Sequence, residues 1–373
     1  LTAADYPDTL VVPYGEVVHN RIMLEIFRGC TRGCRFCQAG MIYRPVRERS
    51  MERLLELAEK LVRATGYDEI SLMSLSSGDY SCLPDLAREM VKRYQKRVKI
   101  SLPSLRIDSY LTDTLKETQK VRKTALTLAP EAGSQRLRDV INKGVTEEDL
   151  IRSVKEAFEN GWSAVKLYFM IGLPTETDED VMGIADLAQK VQQCYFAVPK
   201  GQRAPGLRIT VSASVFVPKP HTPFEWAAQL NRETIHRRQQ MLRQALATMK
   251  GVDFKYHEMD VSFVEAAFAR GDRRIGEVLL RAWQLGCRFD GWTEYFHMDL
   301  WMRAFAEAGL DPAFYANRER GEEEIFPWEH IDAGVTKEFL LREWHKALKA
   351  ETTQDCRKGC VNCGIRRYKG ACV

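Results

Sequence analysis

Three closely spaced cysteines near the start of the chain are the residues best suited to chemistry. Cys30, Cys34 and Cys37 follow the spacing Cys-x3-Cys-x2-Cys, with arginines and glycines between them. Three thiolates can hold three irons of a [4Fe–4S] cluster, which leaves the fourth iron open for another ligand. A zinc knuckle is the alternative, but structural zinc usually takes four protein ligands, and no fourth is obvious nearby. The spacing therefore predicts a redox-active cluster with one open iron.

A second group of cysteines lies in the last part of the sequence. Cys356, Cys360, Cys363 and Cys372 stand in a basic segment that is too short to fold unaided, so a bound metal must supply the order. A second [4Fe–4S] cluster is the favoured interpretation, either as an electron conduit or as a structural element. It could also keep an iron open for substrate if Cys372 were not a ligand. A zinc ion held by four cysteines fits the same residues.

The composition is that of a globular protein. The 373 residues are 45% hydrophobic and 28% charged, and the formal net charge is +4. That charge permits a nucleic-acid partner without predicting one. No run approaches the roughly 18 apolar residues of a membrane span, and the first residues do not resemble a secretory signal. We therefore expect a cytoplasmic protein without a membrane partner.

Short apolar runs alternate with helical stretches through the first half of the chain. Ser50 is a suitable cap for the first of these helices, and Gly66 can end it. The alternation predicts parallel strands joined by crossovers, with chemistry on the loops that follow the strands. The predicted strands are 22–27, 70–75, 98–102, 125–129, 164–171 and 209–217.

These elements predict an α/β fold with three parts. We expect a partial (β/α)6 barrel over residues 1–226, a helical accessory domain over 227–351 and a cysteine-rich, metal-binding tail over 352–373. The strand pattern by itself does not distinguish an open barrel from a doubly wound sheet.

The first cysteine motif resembles that of the radical S-adenosylmethionine (SAM) superfamily. Three further motifs, at 128–134, 171–177 and 218–224, are similar to an uncharacterised subfamily whose members typically carry a cobalamin-binding domain upstream of the barrel. The resemblance implies reductive cleavage of SAM to methionine and a 5′-deoxyadenosyl radical, which takes hydrogen from a substrate. This sequence has no Asp-x-His-x-x-Gly, the motif that supplies the lower histidine of cobalamin. We therefore expect cobalamin only through a domain that precedes Leu1.

The resemblance also implies which residues contact SAM. The turn that follows the second predicted strand would receive the methionine amino group, Glu131 would bind the ribose hydroxyls, and Lys143 would face the carboxylate. The full set of implied SAM contacts is Phe36, Ser76, Ser77, Gly78, Ser104, Arg106, Glu131, Lys143, Gly172 and Leu173.

Two other residues are candidates for substrate binding. Lys166 alternates with Ala164 in a predicted strand, so it points into the barrel or is solvated at an edge. His221 lies in a loop stiffened by three prolines and could bind substrate or exchange a proton near neutral pH. The alternative for His221 is a rigid link to the helical domain.

The sequence thus predicts a radical SAM enzyme of the transferase class. Group transfer to an unactivated carbon, and methylation where a cobalamin domain is present, is the first hypothesis. An RNA-modifying or sulfur-inserting enzyme that uses the tail cluster is the second, and an iron–sulfur scaffold or electron carrier is the third. A flavodoxin or ferredoxin is the expected electron donor, and the substrate is unknown, with RNA among the candidates.

Overall fold

The computed structural model describes residues 6–95, 97–101, 107 and 126–368. The strands are β1 (Ile22–Glu25), β2 (Phe27–Arg28), β3 (Arg47–Glu48), β4 (Glu69–Met73), β5 (Lys99–Ser101), β6 (Leu126–Glu131), β7 (Ala164–Ile171), β8 (Arg208–Val215) and β9 (Val252–Tyr256). The helices are α1 (Ala39–Ile42), α2 (Met51–Thr65), α3 (Leu83–Tyr94), α4 (Gln135–Val140), α5 (Glu147–Glu159), α6 (Asp178–Ala197), α7 (Arg232–Ala247), α8 (Met259–Arg270), α9 (Ile275–Gln284), α10 (Met298–Glu307), α11 (Pro312–Ala316) and α12 (Lys337–Leu348).

Two parallel sheets form the framework that positions the loops. One has the strand order β1-β4-β5, with Ile22 opposite Ile70. The other has the order β6-β7-β8-β9, with Ala164 opposite Arg208. The short strands β2 and β3 form a separate antiparallel pair. Because the strands of a parallel sheet point the same way, the loops that leave their C-terminal ends gather at one edge.

The crossover helices begin at side-chain caps that can be read in the sequence. The Ser50 side chain accepts a hydrogen bond from an amide in the first turn of α2, and Gly66 ends that helix at φ 70°, both as predicted. Thr146 and Thr177 open α5 and α6 with reciprocal capping boxes. These local signals account for the regular alternation of strand and helix.

The six predicted strands correspond to β1 and β4 to β8, and the predicted α/β fold is confirmed. A seventh parallel strand, β9, pairs with β8, with Ile209 opposite Val252, so α7 is a crossover helix of this sheet. The sheet thus continues beyond residue 226, the predicted end of the barrel domain. This strand was missed because it is short and alternates apolar with charged residues, unlike the longer apolar runs. The division into three domains stays a prediction.

The second sheet has one apolar face and one polar face. Val165, Leu167 and Phe169 of β7 are buried in a core with α5, α6 and α7. Lys166 and Tyr168 alternate with them and therefore lie on the opposite face. The same face carries polar residues of the neighbouring strands, namely Thr127, Thr210, Ser212 and Ser214. Because helices cover the apolar face, the polar face is the one on which a ligand could lie.

An aromatic core joins the C-terminal helices to the cysteine loop. Trp226, Trp328 and Trp344 are buried together with Met41 of α1, the helix that follows the first cysteine motif. The helices after β9 form a further core of their own, in which Trp301 and Phe305 are buried. In the described ranges no helix combines the length and apolar character that a bilayer crossing requires.

Candidate functional site

The three N-terminal cysteines lie on one loop between β2 and α1. Cys34 is buried, whereas Cys30 and Cys37 are half-buried. The Gly40 amide donates a hydrogen bond to Cys37 Sγ at 3.3 Å, a contact of the kind that tunes iron–sulfur clusters. Burial, together with the neighbouring thiols of Cys34 and Cys30, raises the pKa of Cys37 to about 11. The three sulfurs are therefore close enough to interact electrostatically.

The surroundings of this loop suit an anionic cluster. Gly33 has φ 75°, and a Cβ there would lie 3.4 Å from Arg44 Nη2, so the loop approaches the guanidinium closely. Arg44 is only 9% exposed, and its Nη1 has no hydrogen-bond partner among the described residues. A buried cationic donor without a partner needs an explanation, and a cluster sulfide would supply one. The residues present thus fit a [4Fe–4S] group.

Buried hydrogen bonds hold the loop to the rest of the fold. The Arg35 side chain is fully buried and donates to the carbonyl oxygens of Asp139 and Val140 at 3.1 and 3.0 Å. It also forms an ion pair with Glu343 at 3.1 Å. On the other side, Asn142 Nδ2 donates to the Gly33 carbonyl oxygen at 3.2 Å. The loop is therefore held by α12, by the C-terminal end of α4 and by Asn142, which follows that helix.

Two of the implied SAM contacts form an ion pair beside a third. Lys143 Nζ lies 3.0 Å from Glu131 Oε1 and 5.9 Å from the centroid of the Phe36 ring. Glu131 has φ 69°, a left-handed conformation that is uncommon for a residue with a side chain. Such a conformation at the end of a strand is typical of functional sites. The side chains of Phe36, Glu131 and Lys143 thus lie together, and Phe36 directly precedes Cys37 in the sequence.

The turn after β4 is tied to the cysteine loop by Arg32. Its Nε donates to Asp79 Oδ2 at 3.0 Å. Ser76 Oγ also donates to Asp79, at 2.6 Å, and Ser77 Oγ donates to the Leu72 carbonyl oxygen at 2.9 Å. Both hydroxyls therefore donate to protein acceptors in β4 and in the turn, so an amino group of a ligand could be received by the backbone of the turn, including Gly78.

Gly172 and Leu173 follow β7 and differ in their surroundings. Gly172 has φ 91°, and its amide donates to Glu176 Oε2 at 2.7 Å. Leu173 is 2% exposed and packs in the aromatic core that also contacts Phe36. The Leu173 side chain therefore belongs to the core, and only the backbone here could approach adenine.

The two substrate candidates take different positions. Lys166 is half-buried on the polar face of the second sheet. His221 has φ 56°, and its amide donates to Glu225 Oε2 at 2.8 Å; burial lowers the pKa of its imidazole. Gln38, the residue after Cys37, donates to the Pro220 carbonyl oxygen at 3.0 Å. The turn that carries His221 is therefore bonded to the end of the cysteine loop.

The tail lies against the first cysteine loop. The Cys356 amide donates to the Thr31 carbonyl oxygen at 3.3 Å, and Thr31 Oγ1 donates to Asp355 Oδ2 at 2.9 Å. The Thr353 amide donates to Asn142 Oδ1 at 2.9 Å. A cavity of about 1130 Å³ is lined by Cys30 and by the three described tail cysteines, namely Cys356, Cys360 and Cys363. The two cysteine groups, more than 300 residues apart in sequence, thus share one cavity.

Three of the predicted site residues lie outside the described residues: Ser104, Arg106 and Cys372. Within the described part of the chain, no three His, Cys, Asp or Glu side chains converge as a ready site for a single ion.

Sequence reasoning missed Arg44, Asn142 and Asp355. Arg44 stands in a segment rich in arginine, where nothing marks a buried one. Asn142 and Asp355 act through contacts with the cysteine loop that are remote in sequence. The four motifs of the subfamily did not include any of these contacts.

Comparison with known proteins supports the resemblance to radical SAM enzymes. Residues 24–188 match the family described as the radical SAM superfamily. An uncharacterized protein of Methanocaldococcus jannaschii is 35% identical over 279 residues, which are 75% of this chain and 58% of that protein. A probable threonylcarbamoyladenosine tRNA methylthiotransferase of Archaeoglobus fulgidus is 30% identical over 169 residues, which are 42% of this chain and 39% of that protein. The chain thus spans only part of the length of these relatives.

A solved structure is also similar. The radical SAM methyltransferase TsrM of Kitasatospora setae, with cobalamin and a [4Fe–4S] cluster bound, matches at 18% identity with a TM-score of 0.43, over 54% of this chain and 38% of that one. The matched family segment begins in β1 and contains the three cysteines and the loops after β4, β6 and β7. Through residues 24–188 this chain matches the radical SAM superfamily, whose members are enzymes that use a [4Fe–4S] cluster and SAM.

Proposed function

We propose that this protein cleaves SAM reductively at a cluster held by Cys30, Cys34 and Cys37 and uses the resulting radical to transfer a group to an unactivated carbon. The observation that carries the proposal is the set of three cysteines on one partly buried loop, beside an Arg44 whose Nη1 makes no hydrogen bond within the described residues. When bound, the cluster would supply one electron to the sulfonium of SAM. All other steps depend on protein residues that bind and orient SAM and the substrate.

The residues around the loop have complementary roles in binding SAM. Lys143 offers an ammonium group to the SAM carboxylate, and Glu131 offers a carboxylate to the ribose hydroxyls. Because they lie 3.0 Å apart, each holds the other in place before SAM arrives. The turn at 76–78 offers backbone carbonyl oxygens to the amino group. These roles rest on the family resemblance and on the positions of the residues beside Cys37.

The polar face of the second sheet favours a polar substrate. Lys166, Thr210 and Ser212 lie side by side across β7 and β8 on the face away from the helices. A cation and two hydroxyls can bind a substrate through hydrogen bonds. We place the carbon that receives the group in the space that this face borders.

The first test is production of 5′-deoxyadenosine from SAM by anaerobically reconstituted protein with dithionite. Cys34→Ala should reduce it to background, because the cluster would lose one of three ligands. The matched control is Cys194→Ala, a half-buried cysteine on α6 outside the loop, which should keep its activity. Undiminished production by Cys34→Ala would contradict a cluster held by these three cysteines, and no production by the wild-type protein would leave only an iron–sulfur scaffold or electron carrier.

The transferred group is proposed to be methyl. The support is the similarity of four motifs to a subfamily whose members carry a cobalamin-binding domain. A sulfur-containing group is the second candidate, because two relatives, one named as a probable tRNA methylthiotransferase and one as a tRNA-2-methylthio-N(6)-dimethylallyladenosine synthase, match 42% and 45% of this chain. SAM labelled in its methyl carbon, incubated with total tRNA and separately with a small-molecule extract, distinguishes the two. Mass spectrometry would show the gain of a methyl group alone or of a methyl group with sulfur.

A further inference from the structure

We propose that the tail cysteines hold a second iron–sulfur centre through which a small acidic electron-carrier protein reduces the N-terminal site. The inference rests on the proposed function and adds the partner and its docking surface. One electron would leave the carrier, which is oxidised, pass through the tail site and reduce the group on Cys30, Cys34 and Cys37. No bond forms or breaks in these steps, and the carrier is a reduced flavin or iron–sulfur protein.

The first argument is position. The cavity that contains the tail cysteines is also lined by Cys30. Thr31, the next residue, bonds the tail through its carbonyl oxygen and its hydroxyl. Within the described chain, none of the implied SAM contacts lines this cavity. A centre in it would therefore adjoin the N-terminal site from a side that SAM does not occupy.

The second argument is exposure. Cys356 and Cys360 are exposed, whereas Cys34 is buried and Cys30 and Cys37 are half-buried. An electron carrier needs close approach to the group that it reduces, and Cys356 and Cys360 lie at the surface, with Cys363 half-buried. The tail site would thus relay electrons to a cluster that a protein partner reaches less easily.

The third argument is charge. The cavity is lined by seven cationic side chains and two acidic ones: Arg44, Arg47, Arg342, Arg357, Lys358, Arg366 and Arg367, with Glu48 and Glu338. Arg357 pairs with Glu48 and Arg367 with Asp332. Lys358 and Arg366 are exposed and form no ion pair within the described residues. A surface with this excess of positive charge attracts an acidic partner over distances of about a Debye length.

The same charge would attract RNA, but the lining favours a protein. Single-stranded RNA is usually held by aromatic side chains on which bases stack. Among the described residues that line the cavity there is no Phe, Tyr or Trp. Charge without stacking surfaces, beside exposed cysteines, suits an acidic redox protein better than a nucleic acid.

The test compares two reductants on the reconstituted holoprotein. Reduced flavodoxin of acidic surface is mixed anaerobically with wild-type protein and with the double variant Lys358→Glu and Arg366→Glu, and cluster reduction is followed by absorbance and electron paramagnetic resonance. At low ionic strength we expect the flavodoxin-dependent rate to fall about tenfold or more in the variant. The wild-type rate should fall as salt is added. Reduction by dithionite should change less than about twofold, since a small reductant does not need the docking surface.

Controls separate docking from other effects. Lys200→Glu makes the same charge change at an exposed lysine between α6 and β8, and its flavodoxin-dependent rate should equal that of the wild type. Cys356→Ser with Cys360→Ser should lower the iron content by about four atoms and slow reduction by flavodoxin while dithionite still reduces the N-terminal cluster. An unchanged flavodoxin rate in either double variant would overturn the inference. So would a loss of tRNA binding by the charge variant with an unchanged rate, which would assign the surface to RNA. Absence of SAM cleavage by wild-type protein with dithionite would instead overturn the proposed function.

Discussion

The two cysteine groups have the same spacing but differ in the protein contacts that hold them. Cys30, Cys34 and Cys37 stand on a loop whose Arg35 is completely buried and bonded to three separate segments. Two of the described tail cysteines, Cys356 and Cys360, are exposed, and Thr31 bonds this segment through Asp355. The same Cys-x3-Cys-x2-Cys spacing is thus shaped by the fold in one place and depends on bound metal in the other. A site for SAM needs the first kind of support, because its geometry has to exist before the ligand binds.

The largest effect should come from removing the buried anchor of the loop. Arg35→Met removes the buried cation that pairs with Glu343, which keeps only Lys346 at 3.6 Å as a charged partner, and removes the bonds to Asp139 and Val140. We expect a loss of about 3–5 kcal/mol in the free energy of unfolding, measured by urea denaturation. Arg303→Met removes an exposed ion pair with Glu307 and should cost less than about 1 kcal/mol. Similar losses of stability in both variants would show that the buried Arg35 contributes no more than a surface ion pair.

The second largest effect should come from metal removal, which should change amide exchange differently in the two cysteine segments. After chelation, we expect amide exchange in residues 356–363 to accelerate about a hundredfold, equivalent to about 2.7 kcal/mol of local stability. Exchange in residues 30–37 should accelerate much less, since protein hydrogen bonds hold that loop. The measurement is hydrogen–deuterium exchange with peptide mass analysis. Equal acceleration of both segments would mean that metal shapes the two sites alike.

The turn bonded to the end of the cysteine loop should show a pH dependence. Burial raises the pKa of Glu225 to about 7 from its ordinary 4.5, so the folded protein keeps a proton that the unfolded chain releases. The stability that this group contributes is therefore complete below pH 4.5 and is lost as pH rises through about 7. Relative to Glu225→Gln, the wild type should lose about 1–3 kcal/mol between pH 5 and 8.

Thermal or urea unfolding at a series of pH values measures this difference. The control is Glu233→Gln at an exposed position on α7, whose difference from the wild type should not vary with pH. A constant difference between the wild type and Glu225→Gln would show that Glu225 is ionised throughout this range.

The smallest effect is expected where the tail meets the loop. Asp355→Ala removes the acceptor of the Thr31 hydroxyl and an ion pair with Arg32 at 3.3 Å. We expect about 1 kcal/mol of local destabilisation, seen as a several-fold faster cleavage of the tail by trypsin with global stability unchanged. Asp68→Ala removes only the surface pair with Lys99 and should leave that rate as it is. No change in cleavage for Asp355→Ala would mean that other contacts hold the tail.

Much of the fold could be predicted because its signals are local. The six strands, the cap at Ser50 and the stop at Gly66 follow from short patterns that tertiary contacts did not override. β9 was missed because a five-residue strand of alternating residues gives a weak sequence signal. Its pairing with β8 identifies it as a strand. The implied contacts of Glu131 and Lys143 came from family motifs, whereas their mutual ion pair came from the structure.

Ligand type and spacing are properties of the sequence alone. Cys30, Cys34 and Cys37 lie within eight residues, so one loop can bring their thiols together wherever the rest of the chain goes. The orphaned Nη1 of Arg44 and the contact of Thr31 with Asp355 depend on how distant segments pack, because burial and long-range hydrogen bonds are set by the assembled core. Only the tertiary structure therefore decided that the two cysteine groups of this protein share a cavity.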